Sequence, residues 1–185
     1  MPAAHPNWFI GIRVPPGTWF EPLQASVPLG LRRFHPEDLH TTVAFLGPCG
    51  PHRARQAFRR LSGPFVGRVV LGAIRPMGRP SRPSAFSVLL SDDGGLSAWI
   101  SAVRAPLLVA AGAPPDSRPP LPHVTVCRPP LGASQALLRA ACDWAASVSS
   151  LELPLQLREV ALYTWSDDRG TRIFRAVERL PAARP

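Results

Sequence analysis

The sequence contains no lysine: all 21 of its basic residues are arginine. Together with 24 prolines and abundant alanine, this is the composition of a GC-rich genome. It weakens what a net charge of +9 would otherwise say about a polyanionic partner. Cysteine is scarce and odd in number. Cys49, Cys127 and Cys142 have no paired spacing, which argues against a disulfide framework or a zinc knuckle and for a reducing cytoplasm. No apolar run reaches the roughly 20 residues that a bilayer span requires. The longest candidate, residues 102–113, is interrupted by Arg104 and Pro106, so no membrane partner is expected. The N-terminus lacks a basic stretch leading into an apolar one, and no secretory signal is expected. There is no glycine-rich phosphate loop, and no repeat with a period of roughly 20–50 residues.

What is present is 45% apolar residues over 185 positions, enough for one compact domain or two small lobes sharing a core. Residues 8–14 read as a buried strand ended by Pro15-Pro16-Gly17. Helices are expected within 18–29, 51–61, 94–112 and 132–147, and strands at 31–35, 41–46, 65–74 and 85–90. The proline-rich stretch 75–83 reads as an irregular loop, and 151–163 as a strand pair or one interrupted strand. Asp167-Asp168-Arg169-Gly170 turns the chain into a last strand over 171–180. Interspersed helices and strands, with hairpin-like returns and no strict β-α-β alternation, argue for an α+β fold with antiparallel sheets.

Two stretches say nearly the same thing: Leu39-His40-Thr41-Thr42-Val43-Ala44-Phe45-Leu46-Gly47 and Leu121-Pro122-His123-Val124-Thr125-Val126-Cys127-Arg128. Each opens a β-type run with His-x-Thr. Residues i and i+2 of a strand share a face, so His40 projects with Thr42 and His123 with Thr125. Two imidazoles and two hydroxyls on one cleft suit a reaction at phosphorus, one His taking a proton from water and the other giving one to the leaving oxygen, while the hydroxyls hold phosphoryl oxygens. The recurrence hints at two related halves. Arg128 has the wrong strand parity to join His123 unless a bulge re-aims it, yet a guanidinium is well matched to phosphate. Phe45 holds the equivalent place in the first motif and reads as core. Tyr163 and Trp165 are candidates for stacking on a base. Asp38 and His40 form an i, i+2 pair, but no third ligand presents itself, so no metal is expected and Asp38 reads as shaping the turn. Arg53, Arg55, Arg59 and Arg60 read as a solvated helix face. Arg79 and Arg82 are the loop arginines that would meet RNA phosphates if the basic charge is functional.

The two motifs resemble the signatures of the two-histidine phosphoesterases, in particular the bacterial and archaeal RNA 2′,3′-cyclic phosphodiesterases also known as 2′-5′ RNA ligases. The resemblance extends to Phe9-Ile10-Gly11-Ile12, to Arg33-Phe34-His35-Pro36-Glu37-Asp38 and to Leu162-Tyr163 with the final hairpin. Asn7-Trp8, the polar Thr41 and Thr164-Trp165-Ser166 depart from the family pattern. The resemblance implies a bilobal fold with two antiparallel sheets lining a central cleft and helices outside, spanning residues 1–185 as a single bilobal domain, and expected as a monomer. It implies hydrolysis without metal or cofactor, with His123 as base and His40 as acid. The near symmetry of the motifs leaves the reverse open. The expected substrate is RNA ending in a 2′,3′-cyclic phosphate, tRNA fragments among the candidates. The alternatives are a small cyclic nucleotide or ADP-ribose cyclic phosphate, 2′-5′ ligation of tRNA halves, or non-catalytic binding of RNA ends.

Overall fold

In a computed structural model, which describes residues 6–182, the elements in chain order are β1 (Trp8–Arg13), α1 (Phe20–Ser26), β2 (Arg32–Arg33), a 3-10 turn (Pro36–Asp38), β3 (His40–Gly47), α2 (Gly50–Phe58), β4 (Gly67–Arg79), β5 (Arg82–Ser91), α3 (Gly95–Ala111), β6 (His123–Arg128), α4 (Gln135–Ser147), β7 (Leu153–Leu157), β8 (Glu159–Trp165) and β9 (Phe174–Pro181). The first residues, on which the reading of a signal segment rests, lie outside the described residues.

Two antiparallel sheets result, with strand orders β3-β1-β8-β9 and β2-β6-β5-β4-β7. β1 and β8 are the inner strands of the first sheet, which is why their sequences are apolar at consecutive positions and not at alternate ones: almost every residue of both is buried. α2 and α3 cover the first sheet. α4 packs on β4 and β5 of the second sheet, and α1 joins it there, with Trp144 of α4 donating to Ser26 Oγ and Gln24 of α1 reaching β6. Each sheet is therefore covered partly by a helix that follows a strand of the other: α1 follows β1, and α3 follows β5. The buried side chains form one continuous core beneath both sheets. Helix ends follow local chemistry: the Ser134 hydroxyl accepts from Leu137 N–H at the start of α4, and Gly112 ends α3 in the left-handed region.

The stretch 75–83, expected to be irregular, is a hairpin: β4 runs through Pro76 to Arg79 and β5 returns from Arg82. The reason is position in the sheet. β4 pairs with β7 as far as Leu71, and beyond that it has β5 alone as a neighbour. A proline there lacks an N–H on the side where none is needed. A register shift between Met77 and Gly78, with Gly78 at φ +97, gives the ribbon the bulge that closes the turn. The stretch 151–163 is two strands that belong to different sheets, β7 beside β4 and β8 beside β1, so the chain changes sheets at Arg158. Among the described residues no helix is long and apolar enough to cross a membrane. The three cysteines are free thiols.

Candidate active site

The two motif strands meet where the sheets converge. The backbone N–H of His123 donates to Thr41 Oγ1 at 3.3 Å, so Thr41, a polar residue at an apolar place in the motif, buries its hydroxyl as a tie between β3 and β6. The imidazoles are held in the same way. Nδ1 of His40 lies 2.6 Å from the carbonyl of Asp38, and Nδ1 of His123 lies 2.6 Å from the carbonyl of Leu121. A carbonyl accepts, so both rings carry the proton on Nδ1 and leave Nε2 for a ligand.

His40 is packed on three aromatic rings: Phe9 at 4.5 Å between centroids, Tyr163 at 5.3 Å and Phe174 edge-on at 5.4 Å. Burial in this cage is the main cause that lowers its pKa from 6.5 to about 4. The Asp38 carbonyl opposes the shift, and the charges of Arg128 and His123 add to it. Gly11 on β1 makes room for the ring, since a Cβ there would lie 3.2 Å from the Thr41 carbonyl and 3.3 Å from His40 Cδ2. Asp38 does more than shape the turn. Its buried carboxylate accepts from the N–H groups of Ile173 and Phe174 at 2.8 and 2.9 Å, fastening the start of β9 behind His40.

Thr42 lines both hollows beside the histidines, and Thr125 shares the strand face of His123. Thr125 Oγ1 is 3.0 Å from the hydroxyl of Ser87, fully buried on β5. Nothing in the pattern around Ser87 signals this partnership, which depends on the register that sets Ser87 opposite Thr125.

Arg128 does enter the cleft. In the pairing of β5 with β6, Phe86 faces Cys127 and Ser87 faces Thr125, leaving Val126 as an extra residue. This bulge restores Arg128 to the face of His123 and Thr125. Its guanidinium lies over the Phe34 ring at 5.4 Å and lines a pocket of about 160 Å³ with Asn7, Phe9, His40, Thr42, Phe45, Trp165 and Phe174. Burial and the neighbouring Arg32 lower its pKa. The first motif repeats the device. β1 pairs Ile10 with Ala44 and Gly11 with Thr42, leaving out Val43. Phe45 is thereby turned out of the core, where the sequence pattern had put it, and is 57% exposed. It stands between the small pocket and a second hollow of about 500 Å³ that contains His123, Met77, Ile100, Arg104 and Leu121.

Of the two stacking candidates, Trp165 lines the small pocket, with Arg169 over its ring at 4.5 Å. Tyr163 does not. It is 1% exposed, stacked under Phe9 at 5.0 Å, and has no face to offer a base, because β8 is buried on both sides. Arg79 and Arg82 stand at the hairpin end. Arg82 borders a separate hollow with residues 129–133, and Met77 is the hairpin residue that reaches His123. Another surface hollow, of about 610 Å³, is lined by Arg55 of α2 with Arg59 and Arg60 just beyond its end, and includes no motif residue.

No protein-family model matches the sequence, and no curated protein matches it. Solved structures do match. The structure of E. coli LigT complexed with 3′-AMP is 19% identical over 97% of this chain and 99% of that one, with a TM-score of 0.65. TT0787 of Thermus thermophilus is 18% identical over 95% and 97%, with a TM-score of 0.66. Usb1 of Kluyveromyces marxianus is 14% identical over 97% and 100%, with a TM-score of 0.51. At these identities the likeness is one of fold: the chain has the α+β, bilobal two-histidine phosphoesterase fold, two antiparallel sheets with helices outside. The particular architecture is that of LigT, matched over nearly its whole length.

Proposed function

We propose that the chain hydrolyses the terminal 2′,3′-cyclic phosphate of RNA to a 2′-phosphomonoester, with His40 and His123 exchanging the protons. The observation that carries this reading is the matched pair of imidazoles, each fixed through Nδ1 to the carbonyl two residues upstream with Nε2 left free. A nitrogen held in that way takes a proton when neutral and gives one when charged. His123 removes a proton from water as the water oxygen bonds to phosphorus. The P–O3′ bond breaks, and protonated His40 delivers its proton to O3′. Because His40 is neutral in the free protein above about pH 4, its proton enters with the anionic substrate, whose charge offsets that of Arg128. Arg128, Thr42 and Thr125 hold the non-bridging oxygens. Phe45 and Trp165 offer faces for a base. Crystallisation of LigT with 3′-AMP supports a nucleotide in this cleft. On this reading the protein acts as a monomer, without a cofactor, on RNA ends in the cytoplasm.

The test is phosphorus NMR of a reacted cyclic-phosphate oligonucleotide. One fixed acid beside one leaving oxygen yields a single product, expected to be the 2′-phosphate. A clean 3′-phosphate would overturn the assignment of the leaving group, and a mixture would overturn the fixed acid. Faster turnover of cyclic mononucleotides or ADP-ribose cyclic phosphate than of oligonucleotides would transfer the activity to small substrates. Formation of a 2′-5′ junction from tRNA halves would make the reverse reaction the relevant one.

A further inference from the structure

Each motif strand has a bulge at the same place, one residue after its threonine, and the carbonyl of each bulged valine is held by a side chain from a covering helix. Val126 O accepts from Gln24 Nε2 of α1 at 3.0 Å, as well as from the Phe34 backbone N–H at 3.0 Å. Val43 O accepts from Arg104 Nε of α3 at 3.1 Å. Gln24 is 7% exposed, more than a hundred residues from its partner in sequence, and its Oε1 has no partner of its own. Arg104 also donates to the Arg118 carbonyl at 2.8 Å. At Val43 the bulge takes the residue out of the ladder with β1, where a buried carbonyl without a donor is costly; at Val126 the carbonyl keeps its Phe34 bond on the β2 side and Gln24 supplies a second donor at the bulge. A donor waiting at that point therefore favours the bulged register over the regular one.

We infer that Gln24 and Arg104 are positioning residues that hold the two bulges and so aim Arg128 and Phe45 into the cleft. The consequence of losing a bulge is specific. A regular strand would return the next side chains to the opposite face, withdrawing Arg128 from His40 in one lobe and Phe45 from the cleft in the other. Gln24 lines neither pocket next to the histidines, so any effect it has on an anion must travel through β6. The assignment of what the cleft binds rests on the proposed function; the geometry of the bulges does not.

The experiment is a pair of double-mutant cycles, read by sulfate affinity and by steady-state kinetics on a cyclic-phosphate dinucleotide. Gln24→Met keeps the length of the side chain and removes the donor; Gln24→Leu serves if the first variant is not folded. Either is expected to weaken sulfate binding and raise KM by about tenfold, the scale of one charge-assisted contact, with kcat little changed. In an Arg128→Ala background the same substitution should alter sulfate affinity by less than about twofold, because the residue it aims is gone. Arg104→Met should likewise raise KM in the wild type and not in Phe45→Ala. A purely structural role for Gln24 would instead lower Tm and act equally in both backgrounds. That result overturns the inference, as does undiminished sulfate affinity in Gln24→Met or absence of sulfate binding to the wild type. If neither Gln24 variant folds, the Arg104 cycle decides. If the cycles couple but the wild type leaves cyclic phosphates intact, the proposed function falls and the aiming of Arg128 and Phe45 stands.

Discussion

Protonating His40 in the free protein should require a pH near 4 instead of the ordinary 6.5. The aromatic cage of Phe9, Tyr163 and Phe174 excludes water from most of the ring, and Arg128 opposes a second positive charge. The difference corresponds to at most about 3.5 kcal/mol held against the charged form, at roughly 1.4 kcal/mol per pK unit. Its sign for stability follows. The folded pKa is below the unfolded one, so between about pH 6.5 and 4 the unfolded chain binds a proton that the folded chain refuses. This group's contribution is complete above pH 6.5 and is lost as pH falls through that window. An anion seated between Arg128 and His40 reverses the balance, so binding near pH 5 should take up roughly 0.4 of a proton if the midpoint rises by about one unit, and more if it rises further. The assay is NMR titration of the carbon-bound ring protons of His40, free and saturated with sulfate, which does not itself titrate in this range. The expected midpoint is near 4 when free and higher by at least ~1 unit with sulfate. A free midpoint of 6 or above, or one that sulfate leaves unmoved, would refute the argument that the cleft delivers its acid proton with the substrate.

His40→Ala and His123→Ala should each reduce turnover by at least ~100-fold, because each removes one proton transfer. Thr42→Val and Thr125→Val should cost less, and a folded His variant with near wild-type turnover would refute the two-histidine mechanism. Asp38→Ala leaves the buried N–H groups of Ile173 and Phe174 without an acceptor. At about 1–3 kcal/mol for each orphaned donor, urea denaturation should show a loss of about 2–6 kcal/mol, and a loss under about 1 kcal/mol would refute the assigned bonds.

The motif strands were legible because a period of two and a repeated triplet are local facts. Placing His40 with Thr42 and His123 with Thr125 needed nothing beyond strand geometry, and the α+β class followed from the order of elements. Phe45 was misplaced because parity counting assumes an unbroken strand, and the bulge at Val43 is held by Arg104, 61 residues away. Arg128 was left undecided for the same reason, the bulge before it at Val126 meeting Gln24, 102 residues away. Tyr163 and the prolines of the 75–83 stretch share another cause: whether a strand is central or has a free side is a property of the assembled sheet. At Tyr163 that property buried an aromatic that looked available, and at Pro76 it admitted a residue that looked forbidding. Gly11 and Ser87 carry no signature of their own and acquire meaning from what stands opposite them.

The near equivalence of the two lobes raises a question of handedness in binding. If the two imidazoles, the two hydroxyls and the two bulges were all that a phosphodiester met, it could enter head first or tail first, and on the proposed function half of such encounters would put the wrong ester oxygen beside the acid. The degeneracy is broken five residues after each histidine, where one lobe presents a neutral ring, Phe45, and the other a cation, Arg128. On the proposed function, a nucleobase and a charged backbone have opposite preferences for those two side chains, so this mismatch, with the aromatic cage that surrounds His40 alone, would set the direction in which a strand end lies across the cleft. Exchanging the pair, Phe45→Arg with Arg128→Phe, would reverse that polarity while leaving every proton-transferring atom in place.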